Sequence, residues 1–338
     1  MASRPKTTLA DVARASGVSP ATASRALTQP ELVAGETLAR VLASARSLGY
    51  RPDAAARALA SGRSMTIGAV MPTLYNEIFS RALQSMQSVL AAEGYQLLVA
   101  SHDYNPAAEA EAIRMLLARG VDGLMLVGAE RNAEGDALIR DARAPVVLTW
   151  RTTPGQPAVT VDNERAGWLA AQHLLDLGHH RIGMVTGRIT FNDRQRARLQ
   201  GARACLAQAG LSLPDWLASQ QPTTLAGGRS GCAALLELAD PPTALIGGID
   251  LIAIGCIVEA QARGLGVPGD LSVVGIDDVD MSAHLSPSLT TVHIPTARIG
   301  AEAATMLLCA IREKSTPAAI ELPVELVVRR SAGAPRTA

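Results

Sequence analysis

Hydrophobic positions follow two different rhythms along this chain. Up to Tyr50 they recur every three or four positions, with Leu9, Val12 and Ala13 on one helical face, Ala23, Ala26 and Leu27 on a second, and Leu38, Val41, Leu42, Ala45 and Leu48 on a third. From Thr66 onward short unbroken apolar runs take over. TIGAVMP, YQLLVA, DGLMLVG and PVVLTW alternate with amphipathic stretches such as Ile78 to Glu93 and Ala107 to Arg119. An apolar run without alternation reads as a strand buried on both faces, and strands separated by helices build a parallel, doubly wound sheet. A second series, AVTVD, RIGMVTG, TALIGG and LSVVGID, predicts a second lobe of the same construction, opening at AVTVD. The expected fold is a small all-α helix-turn-helix headpiece followed by a two-lobed α/β body with doubly wound parallel sheets.

Polar residues and glycines punctuate the helical stretches. Thr8 followed by Asp11 reads as a capping box, and Gly17 is placed to end the first helix in the left-handed conformation. Ser19 then offers an N-cap hydroxyl, with Pro20 at the first helical position, where its missing N–H costs nothing. Two short helices joined by a tight glycine turn form a helix-turn-helix, whose second helix enters the major groove with its amino-terminal residues near the base edges. Ala21, Thr22 and Arg25 share the outer face of that helix. Arg25 is the one side chain there able to read a guanine bidentately, Thr22 and Ser24 suit phosphate or methyl contacts, and Pro20 and Ala21 offer apolar surface. The third face, closed by Gly49, completes a three-helix core. A helical hairpin that never meets DNA has the same pattern, so charge has to discriminate. The chain as a whole is neutral, yet residues 1–64 hold nine Lys/Arg against four Asp/Glu, which makes a basic head on an acidic body.

GYRPDAAARALASGRS, from Gly49 to Ser64, has room after Pro52 and Asp53 for a helix of about two turns, marginal in water without packing. Its one large apolar residue, Leu59, stands among alanines and is flanked by Arg51, Arg57 and Arg63. That arrangement suits a wedge in a minor groove between arginines that neutralise phosphates; a plain linker is the alternative. The expected division is a headpiece at 1–52, a hinge helix and linker at 53–64, and a body at 65–338.

With 48% hydrophobic and 18% charged residues, the chain is too apolar for wholesale disorder. Cys205, Cys232, Cys256 and Cys309 have neither metal-knuckle spacing nor that of a small disulfide framework, so buried free thiols are expected. The start, MASRPKTT, lacks the apolar core of a signal peptide, and no later run reaches the roughly 18 apolar residues of a membrane span. A cytoplasmic protein is expected, with no membrane, metal or cofactor.

The residues quoted so far resemble the lactose/galactose repressor family of bacterial transcription factors. The resemblance rests on TLADVARASGVSPATASRAL, LGYRPDAAARALASGRS and IGAVMP. It continues through GVDGLMLVG, VTVDNERAGWLAAQHLLDLGHHRIGMVTG and DLSVVGIDDVDMSAHLSPSLTTVHIP, essentially the whole chain. Within the family, TQPELV, PTLYNEIFSRAL and SHDYNPAAEAEAIRMLLARGVDGL are most similar to the gluconate-utilisation repressors. The resemblance implies a periplasmic-binding-protein-like body and a homodimer on a near-palindromic double-stranded DNA operator, with hinge helices in the minor groove at its centre. The candidate DNA-binding residues are then Thr8, Ser19, Pro20, Ala21, Thr22, Ser24, Arg25, Arg57 and Leu59, the last as the intercalating leucine. Pro20 and Ala21 stand where many relatives have larger side chains, so an operator sequence does not carry over.

The resemblance also implies a small-molecule effector between the lobes, and open α/β sheets bind ligands at the carboxyl ends of their strands. SVVGIDD ends in Asp277, VTVDN ends in Asp162 and Asn163, and Arg198 follows VTG. In the family an arginine in the pattern Arg-x-x-Gly, matched by Arg198 and Gly201, pairs with a ligand acceptor. The aspartate matched by Asp277 takes ligand hydroxyls, and Ile78 and Phe79 match apolar walls from the first lobe. Asp162 and Asp250 complete the candidate effector-binding set. A guanidinium fork with carboxylates suits a sugar, or a sugar acid such as gluconate. Each carboxylate has the alternative of a helix cap or a surface residue. Arg194 and Arg196 are expected on a solvated helix face, and His179 and His180 in structural roles. Ile249 stands where many relatives carry asparagine before Asp250, which removes a polar group near the cleft.

Two other functions fit the body alone. A sugar-binding receptor of the periplasmic type would need an export signal and has no use for residues 1–62. An α/β enzyme would be expected to show a G-x-S-x-G elbow, a P-loop, a G-x-G-x-x-G turn or a metal-ligand cluster. The expected function is a ligand-responsive DNA-binding repressor, not an enzyme. With no leucine-heptad tail after VELVVRRSAGAPRTA, it is expected to be a dimer and not a tetramer.

Overall fold

A computed structural model describes residues 7–51, 62–313 and 318–336. Arg57 and Leu59, with most of the expected hinge, lie outside them. The chain separates into two units, residues 1–64 and 65–338.

In the first unit the capping residues set the helix limits. Thr8 accepts from the Asp11 N–H, and Asp11 in turn accepts from the Thr8 N–H at 3.0 Å and hydroxyl at 2.7 Å, which opens α1 (Leu9–Ser16). The same bonds hold the Asp11 carboxyl below its ordinary pKa. Gly17, at φ 67°, closes α1 in the left-handed region. Ser19 accepts from the Thr22 N–H at 3.1 Å and starts α2 (Pro20–Thr28), and a single 3-10 turn at Pro30–Leu32 leads to α3 (Gly35–Ser47). Val12, Ala13, Ala23, Ala26, Val41 and Ala45 form the buried centre, ringed by Leu9, Val18, Leu27, Val33, Leu38 and Tyr50. Leu48, expected inward, is 38% exposed because α3 stops one residue before it.

The body holds two six-stranded sheets. The first contains β1 (Thr66–Met71), β2 (Gln96–Ser101), β3 (Gly123–Val127), β4 (Val146–Trp150), β5 (Ala158–Val161) and β11 (Ile320–Leu322), all parallel, in the order β11-β5-β4-β3-β1-β2. The second contains β6 (Ile182–Gly187), β7 (Ala218–Gln221), β8 (Ala244–Gly247), β9 (Ser272–Asp277), β10 (Thr290–His293) and β12 (Glu325–Val327), in the order β12-β10-β9-β8-β6-β7 with β12 antiparallel. AVTVD was expected to open the second lobe. It closes the first instead: Ala158 pairs with Leu148 in parallel register, and the chain crosses to the second sheet only after Val161. The chain passes between the sheets again after β10 and after β11.

Alternation along β1 sends Ile67, Ala69 and Met71 to one face and Val70 to the other. The first face packs on α4 (Glu77–Ala92) and α12 (Thr296–Glu313), the second on α5 (Pro106–Ala118) and α6 (Ala133–Arg140). The second sheet lies between the pair α7 (Asn163–Asp176) and α8 (Asp193–Gln208) and the pair α9 (Leu225–Leu236) and α10 (Asp250–Ala262); the short α11 (Asp280–His284) follows β9. Helices α7 and α8 cross at Gly167 and Gly201, where an added Cβ would run into the carbonyls of Arg198 and Glu164. Gly201 of the Arg-x-x-Gly pattern thus serves packing and sets how closely Arg198 approaches the start of α7. No helix among the described residues is long and apolar enough to cross a membrane.

Candidate functional site

Two sites follow from these units. In the headpiece, the start of α2 presents Pro20, Ala21 and Arg25 to solvent, with Thr22 and Ser24 half-buried beside them. Alanines at 23 and 26 turn inward, and this inward anchor aims Ala21 and Arg25 outward. Thr22 is partly engaged, its hydroxyl 2.9 Å from that of Ser19. Arg25 donates to no acceptor among the described residues and remains a free fork. Thr8 and Ser19 are both exposed, but their side chains are occupied by the helix caps.

In the body the strand ends of both sheets converge on a buried polar network centred on Arg198, which is 1% exposed. Its Nε donates to Asn163 Oδ1 at 3.0 Å, and its Nη1 donates to the Gly248 carbonyl at 2.8 Å and to Asp277 Oδ1 at 3.0 Å. Asn163 passes the connection across the lobes, because its Nδ2 donates at 3.0 Å to the carbonyl of Trp150, the last residue of β4. Gln195 braces the same region: it accepts from the Thr186 hydroxyl at 2.6 Å and donates to the Gly248 carbonyl at 3.0 Å. Burial lifts the Asp277 carboxyl to about 7, with Arg198 pulling the other way.

The network leaves polar atoms unpaired. Asp277 Oδ2 and Trp150 Nε1 are buried without a hydrogen-bond partner among the described residues, and so is His102 Nδ1, just beyond β2. Phe79 meets Trp150 edge to face at 5.4 Å and Ile78 is buried next to it, which gives an apolar wall. Backbone strain concentrates on the same loops. Asp103, Tyr104, Trp150, Phe191, Asp277 and Asp278 all hold positive φ without being glycine, and strain of this kind gathers at ligand sites.

The structure therefore brings together Ile78, Phe79, Arg198 and Asp277. Asp162 stands apart: it is exposed and caps α7, accepting the Arg165 N–H at 2.7 Å, while the neighbouring Asn163 turns inward. Asp250 is fully buried, and its oxygens accept from the Val279 N–H and the hydroxyls of Ser282 and Thr291, so it fastens the loop after Asp277. Ile249 is buried at the N-cap of α10 and offers no side-chain cap. Arg194, expected on a solvated face, is 7% exposed, because the first turn of α8 packs across the lobes onto Gly128. Arg196 is half-buried and bridges to Glu130 of the first lobe at 2.8 Å. His179 is structural as expected, bonded to Thr243 at 2.8 Å and to the Gly333 carbonyl at 2.9 Å. Cys205, Cys232 and Cys256 are buried free thiols, and Cys309 is half-buried.

A capped helix-turn-helix unit and a two-sheet body with a polar interlobe network together define a ligand-responsive DNA-binding regulator. The comparisons with known proteins agree. Residues 8–53 match the family of bacterial regulatory proteins, lacI family, and residues 171–332 match the periplasmic binding protein-like domain. The chain is 32% identical to catabolite control protein A of Priestia megaterium over 96% of its own length and 98% of that protein. It is equally 32% identical to the HTH-type transcriptional repressor PurR of Aliivibrio salmonicida, with the same coverage. The lac repressor dimer bound to operator and the anti-inducer ONPF superposes with a TM-score of 0.87 at 26% identity, covering 97% of this chain and all of that one. The chain belongs to the LacI family of transcriptional regulators.

Proposed function

We propose that the protein is a repressor that binds a near-palindromic operator as a homodimer and releases it when a sugar acid of the gluconate type enters between the lobes of the body. The DNA half of this reading is carried by one observation: the exposed Arg25 fork on a helix whose start is fixed by Ser19 and Pro20, in a unit with a basic surplus. Pro20, Ala21, Thr22 and Ser24 complete the face toward the bases and phosphates, and Thr8 and Ser19 hold the helices that present it. Arg57 and Leu59 enter from sequence alone, as a phosphate contact and a minor-groove wedge. Action on DNA fits a cytoplasmic protein.

The effector half is supported by the buried orphans at Asp277, Trp150 and His102, which a polyhydroxylated ligand would satisfy, and by the wall of Ile78 and Phe79. Asp162 and Asp250 act in this reading through the helix and loop they hold. Dimerisation is supported by β2, a sheet-edge strand that leaves Leu98 and Val99 exposed, as a second copy of the chain would require. The gluconate assignment draws on the similarity of TQPELV and SHDYNPAAEAEAIRMLLARGVDGL to the gluconate-utilisation repressors.

Operator titration by fluorescence anisotropy, with and without gluconate, tests both halves. Arg25→Ala is expected to cost roughly 1–3 kcal/mol and to relax preference at one base pair per half-site. Arg198→Ala is expected to abolish the response to ligand. Equal affinity and selectivity in Arg25→Ala would sink the recognition assignment, and an unchanged ligand response in Arg198→Ala would sink the cleft assignment. Sedimentation of the complex gives its stoichiometry.

A further inference from the structure

A guanidinium carries five N–H donors, and the two arginines on the inner face of α8 spend them differently. Arg198 is committed to Asn163, Gly248 and Asp277. Arg194, almost as buried, donates only through Nη1 to Asp193 Oδ1 at 3.0 Å; its Nε and Nη2 meet no acceptor among the described residues. Asp193 is itself shared with the other lobe, its second oxygen accepting the Ala129 N–H at 2.7 Å. The other buried arginine of the region, Arg131, faces Glu109 at 3.6 Å and donates to the Gly128 carbonyl at 3.0 Å.

Around Arg194 the loops of both lobes close on a small cavity lined by His102, Tyr104, Glu109, Glu130 and Phe191. Its volume is about 10 Å³, near the lower limit for one water, so a larger group requires the side chains that line it to move apart. The positive charge of Arg194 reaches groups from both sheets. With burial as the main cause, it helps push the His102 ring down to about 4, and it favours the ionised form of Asp277. His102 is therefore neutral near pH 7 and offers a ring nitrogen without adding charge. Guanidinium donors without a protein partner are open to an oxyanion, which such a fork holds more strongly than it holds any neutral group.

We propose that Arg194, assisted by His102, seats the anionic end of the effector, a carboxylate or phosphate, while the hydroxyls of the same molecule lie toward Arg198 and Asp277. The two arginines are one helical turn apart on α8, about 5–6 Å between their Cβ atoms. The ligand class is thus a polyol chain with one charged terminus. This inference rests on the cleft reading above, and it places the anion at Arg194, which spends one donor, and not at Arg198, which spends three on Asn163, Gly248 and Asp277.

The test is calorimetry on the full chain with gluconate and glucose 6-phosphate, each set against the neutral glucitol and glucose. The proteins are the wild type, Arg194→Gln, Arg194→Lys and Arg198→Gln. The wild type should bind one of the acids roughly ten- to a hundredfold more tightly than its neutral counterpart. Preference for gluconate identifies a carboxylate, and preference for glucose 6-phosphate a phosphate. Arg194→Gln should erase the preference and Arg194→Lys should keep part of it, which separates lost charge from lost folding. The proposal is overturned if neither acid binds the wild type, if neutral counterparts bind as tightly as the acids, or if Arg194→Gln keeps the preference. Loss of binding in Arg198→Gln with Arg194→Gln unchanged would retain the cleft and discard the seat. No change in either variant would discard both.

Discussion

The headpiece and the body solve the packing problem in opposite ways. The headpiece buries only small side chains at its centre, four alanines and two valines, and relies on caps at Thr8 and Ser19 to hold short helices. The body buries Trp150 and Met125 of its first sheet against Phe79 and Met86 of the covering helix α4, with enough apolar area to keep an arginine and an aspartate inside. In the headpiece the functional side chains point outward and perturb little. In the body they are desolvated, and their chemistry depends on what surrounds them. A unit with a small core should be sensitive to single methyl groups, while the body should be sensitive to unpaired charge.

Breaking the buried pair should give the largest effect. Arg198→Met leaves Asp277 without its partner and should cost the body about 3–5 kcal/mol, with much of it recovered by adding Asp277→Asn. All three tryptophans lie in the body, so urea unfolding followed by tryptophan fluorescence reads this unit directly. A loss below about 1 kcal/mol would mean that the pair is solvated.

The pH dependence should come next. Asp277 is raised to about 7 in the folded protein, so between its unfolded value of 3.8 and about 7 the native state holds the extra proton, and stability falls as pH rises. His102 is lowered from 6.5 to about 4, so over that window the unfolded state holds the extra proton, and stability rises with pH. The two slopes oppose each other below 6.5. Relative to the wild type, Asp277→Asn should tilt the profile toward a rise between about pH 4 and 7, and His102→Asn toward a fall between about pH 4 and 6.5, each seen in urea midpoints taken across pH. Parallel profiles for the two variants would contradict both assignments.

In the headpiece Val41→Ala removes two buried carbons and should cost roughly 1.5 kcal/mol, a large share of what a unit of this size has. Amide exchange in α1 to α3 should accelerate while the tryptophan transition stays in place. Ser19→Ala should cost least, about 1 kcal/mol through its cap, with faster exchange confined to α2. Exchange that spreads evenly over the three helices would show that the cap acts on the whole unit.

Local rules decided much of this molecule. Capping residues, the left-handed Gly17 and the helical spacing of small apolar residues are one-dimensional signals, so α1 and α2 and the outward face of Ala21 and Arg25 were legible in the sequence. Unbroken apolar runs likewise marked β1, β3 to β6, β8 and β9, because strands covered on both faces have no polar side to show; YQLLVA also reads as a buried strand, but β2 lies at the sheet edge with Leu98 and Val99 exposed. The short strands β7, β10, β11 and β12 have no such run, and their existence depends on a neighbour supplying half of the hydrogen bonds. Sheet membership was not legible either: AVTV reads alike in either lobe, and only its pairing with Leu148 to Trp150 puts it in the first.

The site divides along the same line. Arg198 and Asp277 were visible as residues at strand ends, but their neighbours in sequence misled. Asp162 and Asn163 are adjacent, and which of them turns inward was fixed by the Trp150 carbonyl and Arg198, both distant in the chain. Arg194 lies in the polar stretch DRQRAR and reads as solvated, yet Gly128 of the other lobe leaves the space that buries it. Helix caps and strand runs are encoded within a few residues, where backbone geometry is local. Desolvation and charge pairing are set by atoms brought together from far along the chain, and those only the tertiary structure could decide.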